Sequence, residues 1–295
     1  MADAAPIDIP SSIRPDTGAN AILARLAAAT QVRVDTAGRT RIVWRTIGQG
    51  SPLVLIHGGH GSWLHWVRNI EALSAAHTVW LPDLPSFGES GDLGVEPHAP
   101  DRLDRLVDAV AGSMRRVLGS ATDPGLAGFS FGGLVAAHLA TAVPGIARIA
   151  LLGSAGHGSM RRQKLEMMDW RTEDPEQSRA ALRHNLAALM LHEEASIDPL
   201  ALAVHAHSCR TTRFRSKAIS RHPLLEPALD RFAGPTLLIW GEHDVTAAPA
   251  DTARRLVANA PNRDWSIIAG AGHWVQYERA QQINQRLLQW FSPAG

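Results

Sequence analysis

Cysteine and net charge are both scarce in this sequence of 295 residues. The only cysteine is Cys209, so no disulfide can form within one chain, and the sequence carries no mark of an oxidising compartment. The formal net charge at pH 7 is +1, which provides no overall field for nucleic acid or for an anionic membrane. We therefore expect neither nucleic acid nor a membrane as a partner.

Long hydrophobic runs are missing as well. No uninterrupted apolar stretch approaches the ~18 residues that a membrane-spanning helix needs. The N-terminal residues lack the apolar segment of a signal peptide. We expect a cytoplasmic protein that acts on a small-molecule substrate, and the sequence leaves homo-oligomer formation open.

Apolar residues make up 45% of the chain, which is enough for a sizeable core. Two alternating segments, 32–35 and 41–45, predict an antiparallel pair with one wet face. The other strand candidates are short continuous apolar runs, which are typical of buried parallel strands. These runs are 53–56, 78–81, 146–152, 236–240, 265–268 and the stretch ending at Ala127. Helical patterns between them predict an α/β fold with a mostly parallel sheet flanked by helices.

One long interval has no parallel-strand pattern, and we predict that residues 156–233 form an inserted helical cap. Its helix-like segments are 161–170, 177–191 and 199–207. The other predicted units are a core made of residues 31–155 and 234–295, and an N-terminal arm over residues 1–30 with a short helix at 21–29.

Ser130 lies in the segment Gly128-Phe129-Ser130-Phe131-Gly132, between a predicted strand and a predicted helix. The pattern G-x-S-x-G is weak by itself, because Gly-rich turns contain it by chance. Between a strand and a helix, however, small flanking residues permit a strained turn that exposes the serine hydroxyl. This context favours a nucleophilic serine over an ordinary Gly-rich turn.

Polar residues follow four predicted strands at their carboxyl ends, where open parallel sheets bind ligands. They are His57-Gly58-Gly59, Ser130, Gly241-Glu242-His243-Asp244 and Gly272-His273. A serine, an acid and a histidine thus arrive in chain order at one edge of the sheet, which predicts a catalytic triad of Ser130, Asp244 and His273. Glu242 is the alternative acid, two residues before Asp244.

Triad chemistry gives each of these residues a role. His273 would take the serine proton and return it to the leaving group. Asp244 would fix the imidazole tautomer. The backbone N–H groups of Gly59 and Phe131 are the natural donors of an oxyanion hole. This chemistry calls for no metal and no cofactor, and we expect none.

Over residues 31–292 the chain resembles the α/β-hydrolase superfamily. The matching parts are His57-Gly58-Gly59, residues 82–90, the segment around Ser130, residues 241–244 and Gly272-His273. The resemblance implies an α/β-hydrolase fold with an inserted cap domain, and a serine hydrolase. Ser86 departs from the pattern, because glycine is more common at that position.

Residues 272–278, Gly-His-Trp-Val-Gln-Tyr-Glu, are similar to the segment around the catalytic histidine of the meta-cleavage product hydrolases. Those enzymes split carbon–carbon bonds in ring-opened dienoates. The resemblance implies that Trp274 lines the pocket, against the alternative of a packing tryptophan. His65 is the histidine outside the triad that we most expect to face the pocket, against the alternative of an ordinary polar or packed residue. Phe129 departs from that family, which usually carries asparagine directly before the nucleophile.

The same resemblance implies a cap arginine that grips a substrate carboxylate. The stretch 205–222 contains no acidic residue, and Arg210 and Arg213 are its first candidates. The alternative is a solvated basic face of the cap. An inward-facing arginine would favour carboxylate-bearing substrates through a bidentate pair.

The sequence therefore predicts a cofactor-independent serine hydrolase that acts through an acyl-enzyme. Its substrate would be small, with a cleaved ester or activated carbon–carbon bond and, if a cap arginine faces inward, a carboxylate. A cofactor-free haloperoxidase or perhydrolase with the same triad is one alternative. A non-catalytic small-molecule binding protein on the same fold is the other, and an intact triad with both oxyanion donors favours catalysis.

Overall fold

The computed structural model describes residues 17–119, 123–159 and 166–292. Its sheet has eight strands in the order β1-β2-β4-β3-β5-β6-β7-β8. The strands are β1 Gln31–Asp35, β2 Ile42–Ile47, β3 Ser51–Ile56, β4 His77–Pro82, β5 Gly125–Phe129, β6 Arg148–Leu152, β7 Thr236–Gly241 and β8 Arg263–Ile268. β2 is antiparallel to both of its neighbours, and every other neighbouring pair is parallel. The predicted mostly parallel sheet is confirmed.

Helices cover both faces of this sheet. Within the described ranges they are α1 Thr17–Ala29, α2 Ile70–Ser74, α3 Arg102–Leu118, α4 Phe131–Ala142, α5 Pro175–Asn185, α6 Pro199–Thr211, α7 Lys217–Arg221, α8 Leu225–Asp230, α9 Pro249–Val257, α10 Val275–Glu278 and α11 Ala280–Phe291. Successive strand residues point to opposite faces. Leu53 and Leu55 therefore join one buried apolar cluster, whereas Val54 and Ile56 join the other. This two-sided burial explains the continuous apolar runs in the sequence.

The chain between β6 and β7 contains, in its described part, helices α5 to α8 and no strand. The predicted helix over 161–170 begins outside the described ranges, and residues 166–170 are not helical. The predicted helix over 177–191 is α-helical only as far as Asn185, after which Leu186–Met190 form one π-helical turn. The division into core and cap stays a prediction.

α1 differs from the predicted N-terminal arm. It begins at Thr17, and its residues Leu23 and Leu26 are fully buried in the same cluster as Leu53. Apolar residues three and four positions apart share one helix face, which explains the packing. Residues 17–29 therefore belong to the packed fold, whereas residues 1–16 lie outside the described ranges. None of the helices in the described part of the chain is long and apolar enough to cross a membrane.

Candidate active site

Ser130 occupies a tight turn between β5 and α4, with φ 53° and ψ −117°. Positive φ is strained for a residue other than glycine. The Ser130 N–H donates to Leu152 O at 2.8 Å, which fixes the turn to β6. A Cβ at Gly132 would come within 2.3 Å of His57 O, so only glycine lets α4 pass the end of β3 this closely. The strand, turn and helix around Ser130 therefore match the predicted setting.

His273 lies between Ser130 and Asp244. Its Nε2 is 2.9 Å from Ser130 Oγ, and its Nδ1 is 2.8 Å from Asp244 Oδ2. Ser130 follows β5, Asp244 follows β7 and His273 follows β8, so three strand ends supply the three side chains. The structure brings together, within hydrogen-bond distance, the residues that the sequence predicts as a triad.

Asp244 is fully buried, and Thr246 holds its carboxylate. Thr246 donates to Asp244 Oδ1 from its backbone N–H at 2.8 Å and from its hydroxyl at 2.7 Å. Burial raises the pKa of Asp244, but the charge and hydrogen bond of His273 and the bonds from Thr246 outweigh it, so the pKa lies below its usual value. Asp244 is therefore ionised at neutral pH and can orient His273.

Thr246 is a site residue that the sequence reasoning missed. The spacing Asp-x-Thr is typical of an Asx turn, and it is the signal that could have found Thr246. Glu242 is the alternative acid. Its half-exposed carboxylate accepts the Gly270 N–H at 3.0 Å and lies 3.6 Å from His243 Nε2. The geometry favours Asp244.

The predicted oxyanion donors lie at the meeting point of two turns. A Cβ on Gly58 would come within 3.1 Å of Ser130 Cβ, and a Cβ on Gly59 within 3.7 Å of Phe131 Cβ. Phe131 is the first residue of α4, and the first N–H groups of a helix have no partner within it. Within the described ranges, the N–H groups of Gly59 and Phe131 donate to no acceptor. Both are therefore free to bind an oxyanion.

The His57 ring is neutral, and it stabilises the turn that carries Gly58 and Gly59. Its Nε2 accepts the Leu84 N–H at 3.0 Å, so the proton lies on Nδ1, which donates to Gly58 O at 2.8 Å. Burial lowers the pKa of His57 from 6.5 to about 4, so the ring is uncharged at neutral pH. Both ring nitrogens are used by the backbone, which makes His57 a structural residue.

His65 and Trp274 pack on each other, with ring centroids 5.3 Å apart. His65 Nδ1 accepts the Gly58 N–H at 3.1 Å, so His65 supports the turn that carries Gly59. Trp274 is fully buried, donates from Nε1 to His65 O at 2.9 Å and stacks on Tyr277 at 4.2 Å. The structure therefore shows Trp274 packed against His65 and Tyr277, and His65 in contact with the turn. A pocket-lining role for either residue stays a prediction.

Arg210 and Arg213, the predicted cap arginines, are both exposed. The Arg213 guanidinium donates to Ser90 O at 2.5 Å and to Thr211 O at 3.2 Å. These contacts hold the segment after α6 against a core loop. Binding of a substrate carboxylate by either arginine stays a prediction.

Ser86, which stands where glycine is more common, lies in the loop after β4. Ser86 has φ 66°, in the left-handed region that favours glycine, which accounts for the usual glycine at this position. Its hydroxyl accepts the Leu93 N–H at 2.9 Å. Asp83 accepts the backbone N–H groups of Trp63 at 2.8 Å and Glu89 at 2.9 Å, so it orders the loop.

The sheet, its flanking helices and the site at the strand ends define an α/β-hydrolase architecture. The sequence model described as the alpha/beta hydrolase family matches residues 53–286. The chain belongs to this family.

Relatives within the family confirm the resemblance to the meta-cleavage product hydrolases. The chain is 29% identical over 266 residues to a 2-hydroxy-6-oxo-6-phenylhexa-2,4-dienoate hydrolase from Burkholderia cepacia, covering 84% of this chain and 90% of the relative. It is 26% identical over 265 residues to a 2-hydroxy-6-oxononadienedioate/2-hydroxy-6-oxononatrienedioate hydrolase from Paraburkholderia phymatum, with coverage of 84% and 90%.

A solved structure supports the fold. The meta-cleavage product hydrolase from Pseudomonas fluorescens IP01 superposes with a TM-score of 0.67 at 21% identity, covering 88% of this chain and 97% of that chain. An esterase from Rhodococcus sp. ECU1013 gives a TM-score of 0.66 at 22% identity, covering 90% and 100%. At these identities the likeness shows the fold alone.

Proposed function

We propose that this chain is a serine hydrolase that cleaves an acyl bond in a small substrate, either to oxygen in an ester or to an activated carbon. The observation that carries the proposal is the hydrogen-bonded series from Ser130 Oγ to His273 Nε2, 2.9 Å, and from His273 Nδ1 to Asp244 Oδ2, 2.8 Å. Both half-reactions use only water and residues of this chain.

The first half-reaction forms an acyl-enzyme. Ser130 Oγ attacks the carbonyl carbon while its proton passes to His273 Nε2. The carbonyl oxygen becomes negative and accepts hydrogen bonds from the N–H groups of Gly59 and Phe131. Asp244 stabilises the imidazolium of His273. The tetrahedral intermediate then expels the leaving group, which takes the proton from His273, and an ester remains on Ser130.

The second half-reaction hydrolyses that ester. A water molecule attacks the acyl carbon and gives its proton to His273, and the same two N–H groups bind the new oxyanion. Collapse of the intermediate breaks the bond to Ser130 Oγ, which regains its proton from His273, and releases the carboxylic acid. The sum of both halves adds one water molecule across the cleaved bond.

The relatives support a carbon–carbon bond as the first substrate class. Two of them, at 26% and 29% identity, are named as hydrolases of ring-opened dienoates. A carbon leaving group must delocalise the electron pair of the broken bond before His273 can protonate it. A ketone conjugated through a diene provides this delocalisation, whereas a simple ketone does not. We propose ring-opened dienoates as the first class and small esters as the second.

A parallel assay of both classes tests the choice. We expect the native protein to turn over a ring-opened phenyl dienoate with a higher kcat/KM than short-chain p-nitrophenyl esters. The opposite ranking would make esters the main class. Binding of both compounds without turnover would contradict the proposal and favour a binding protein on the same fold.

Ser130→Ala tests the mechanism in the same assay. We expect turnover of either substrate to fall by about 10⁴-fold or more, because the nucleophile is lost. Ser74→Ala is the matched control, since it removes a hydroxyl that bonds to Glu71 O within α2. Full activity of Ser130→Ala would overturn the proposed mechanism.

A further inference from the structure

The segment between α6 and α7 is fixed to the core beside the oxyanion donors. The Arg213 backbone N–H donates to Ser86 O at 2.9 Å. The next residue, Phe214, is buried, and its ring lies 5.4 Å from the rings of both Phe87 and Phe131. The Arg102 guanidinium lies 4.1 Å from the Phe214 ring. These contacts fix the residues directly after Phe214 in place relative to α4.

Ser216 lies two residues further along this segment and is only 4% exposed. It precedes α7, but its hydroxyl does not cap that helix. A Cβ built on Gly59 would come within 2.4 Å of Ser216 Oγ and within 3.7 Å of Phe131 Cβ. The hydroxyl therefore lies against Gly59, next to the residue that supplies the second oxyanion donor. Within the described ranges it has no hydrogen-bond partner.

We propose that the Ser216 hydroxyl is a third hydrogen-bond donor to the substrate carbonyl oxygen, beside the N–H groups of Gly59 and Phe131. The inference rests on the proposed function, because it names a further catalytic residue of the same site. Ser216 keeps its proton throughout, and no bond to it forms or breaks.

The chemistry of the oxyanion supports a third donor. The negative oxygen of a tetrahedral intermediate has three lone pairs, so two N–H groups leave one lone pair open. A serine hydroxyl rotates about its Cβ–Oγ bond and can follow the oxygen as the carbonyl carbon becomes tetrahedral. Since no described protein atom accepts the Ser216 hydroxyl, its proton is available to a bound substrate. Because the segment is anchored, the donor is in place before the substrate arrives.

Three variants test the role of this hydroxyl. Ser216→Ala removes it, and Ser216→Thr keeps a hydroxyl at the same atom position. Ser220→Ala is the matched control, because it makes the same substitution one turn later in α7. For each variant, kcat and KM are measured with a p-nitrophenyl ester, and inhibition is measured with a trifluoromethyl ketone.

The inhibitor isolates the oxyanion contact from later steps. Ser130 Oγ adds to the ketone carbon, the Ser130 proton passes to His273, and the ketone oxygen becomes the oxyanion. We expect Ser216→Ala to lower kcat about 10- to 100-fold with little change in KM, and to weaken the inhibitor by the factor by which kcat/KM falls. Ser216→Thr should keep most of the activity, and Ser220→Ala should match the native protein.

Unchanged kcat and unchanged inhibition in Ser216→Ala would overturn the inference. An equal loss in Ser216→Ala and Ser216→Thr would overturn it as well, because the hydroxyl would then not be the group that matters. Absence of turnover and of inhibitor binding in the native protein would overturn the proposed function itself. Native activity with an unaffected Ser216→Ala would overturn this inference alone.

Discussion

The Glu278 carboxylate accepts the Gly272 N–H at 2.6 Å and thereby holds the residue that directly precedes His273. The same carboxylate accepts the N–H groups of His192 at 2.9 Å and Glu193 at 2.6 Å, which lie between β6 and β7. Glu278 is buried, and these contacts all use it as an acceptor. One buried carboxylate thus joins the loop of the proposed base to the predicted cap.

Glu278→Gln is expected to disturb both stability and catalysis, because glutamine replaces one acceptor oxygen with an NH₂ group that faces N–H donors. We expect the free energy of unfolding to fall by about 2 kcal/mol. We also expect kcat to fall about tenfold with KM nearly unchanged, since His273 would be displaced. Urea unfolding and ester kinetics measure the two effects.

Glu193→Gln is the matched control for Glu278→Gln. It removes only a surface ion pair with Arg279, so the unfolding free energy should stay close to that of the native protein. If both variants behaved alike, Glu278 would have no special role in holding His273.

Asp244→Asn tests which acid orients His273. Asparagine keeps the shape but loses the charge and allows the wrong imidazole tautomer, so kcat should fall by about 10³- to 10⁴-fold. Glu242→Gln is the control, because the Glu242 carboxylate is half exposed and bonded to the Gly270 N–H. We expect it to retain near-native kcat. The reverse ranking in steady-state kinetics would assign the acid to Glu242.

His57 makes stability depend on pH. Its pKa falls from 6.5 to about 4 on burial, so between these values the unfolded chain binds a proton that the folded chain does not. The free energy of unfolding is therefore highest above the unfolded pKa. As the pH falls from the unfolded pKa toward the folded pKa, it decreases by about 3 kcal/mol. His205 adds a contribution of the same sign, because burial lowers its pKa to about 4 as well.

Urea unfolding at neutral pH and near pH 5 measures this dependence. In His57→Gln the loss of stability between the two conditions should be smaller than in the native protein, because one buried histidine with a lowered pKa is gone. His222→Gln replaces an exposed histidine and should keep the native dependence. Identical pH dependence in the two variants would refute the role of His57.

Gly132→Ala tests the close passage of α4 over the end of β3. The new Cβ would come within 2.3 Å of His57 O and 2.5 Å of Ile56 O, both backbone atoms that cannot move easily. We expect a loss of about 2–3 kcal/mol in unfolding free energy. Activity should fall more than about tenfold, because Ser130 would shift.

Gly112→Ala in α3 provides the comparison. Its Cβ would meet only the flexible end of Arg116 at 3.3 Å, and alanine favours a helix by up to ~1 kcal/mol. Thermal unfolding of the two variants should therefore change in opposite directions. A tolerated Gly132→Ala would show that the elbow can relax around a side chain.

The proposed triad is the part of the site that the sequence predicts best. Local patterns locate the ends of β5, β7 and β8, and the parallel sheet brings those ends to one edge. The predicted strand ends are therefore enough to place Ser130, Asp244 and His273 close together. The sheet itself is predicted for the same reason, since two-sided burial leaves continuous apolar runs.

The residues that the sequence could not place depend on contacts between distant segments. The sequence fits a pocket-lining and a packing role for Trp274 equally well. Its partner His65 is far away in the chain, and only the fold brings the two residues together. Nothing in the sequence indicates that the Arg213 guanidinium donates a hydrogen bond to Ser90 O. The proposed roles of Ser216 and Glu278 depend on how the chain between β6 and β7 packs against the core.

Covalent labelling of the native protein with a fluorophosphonate tests the nucleophile most directly. We expect one label per chain, located on Ser130 by peptide mass mapping, and no label on Ser130→Ala. A label on another residue, or an unlabelled Ser130 under conditions that label an established serine hydrolase, would contradict the assignment of Ser130 as the nucleophile.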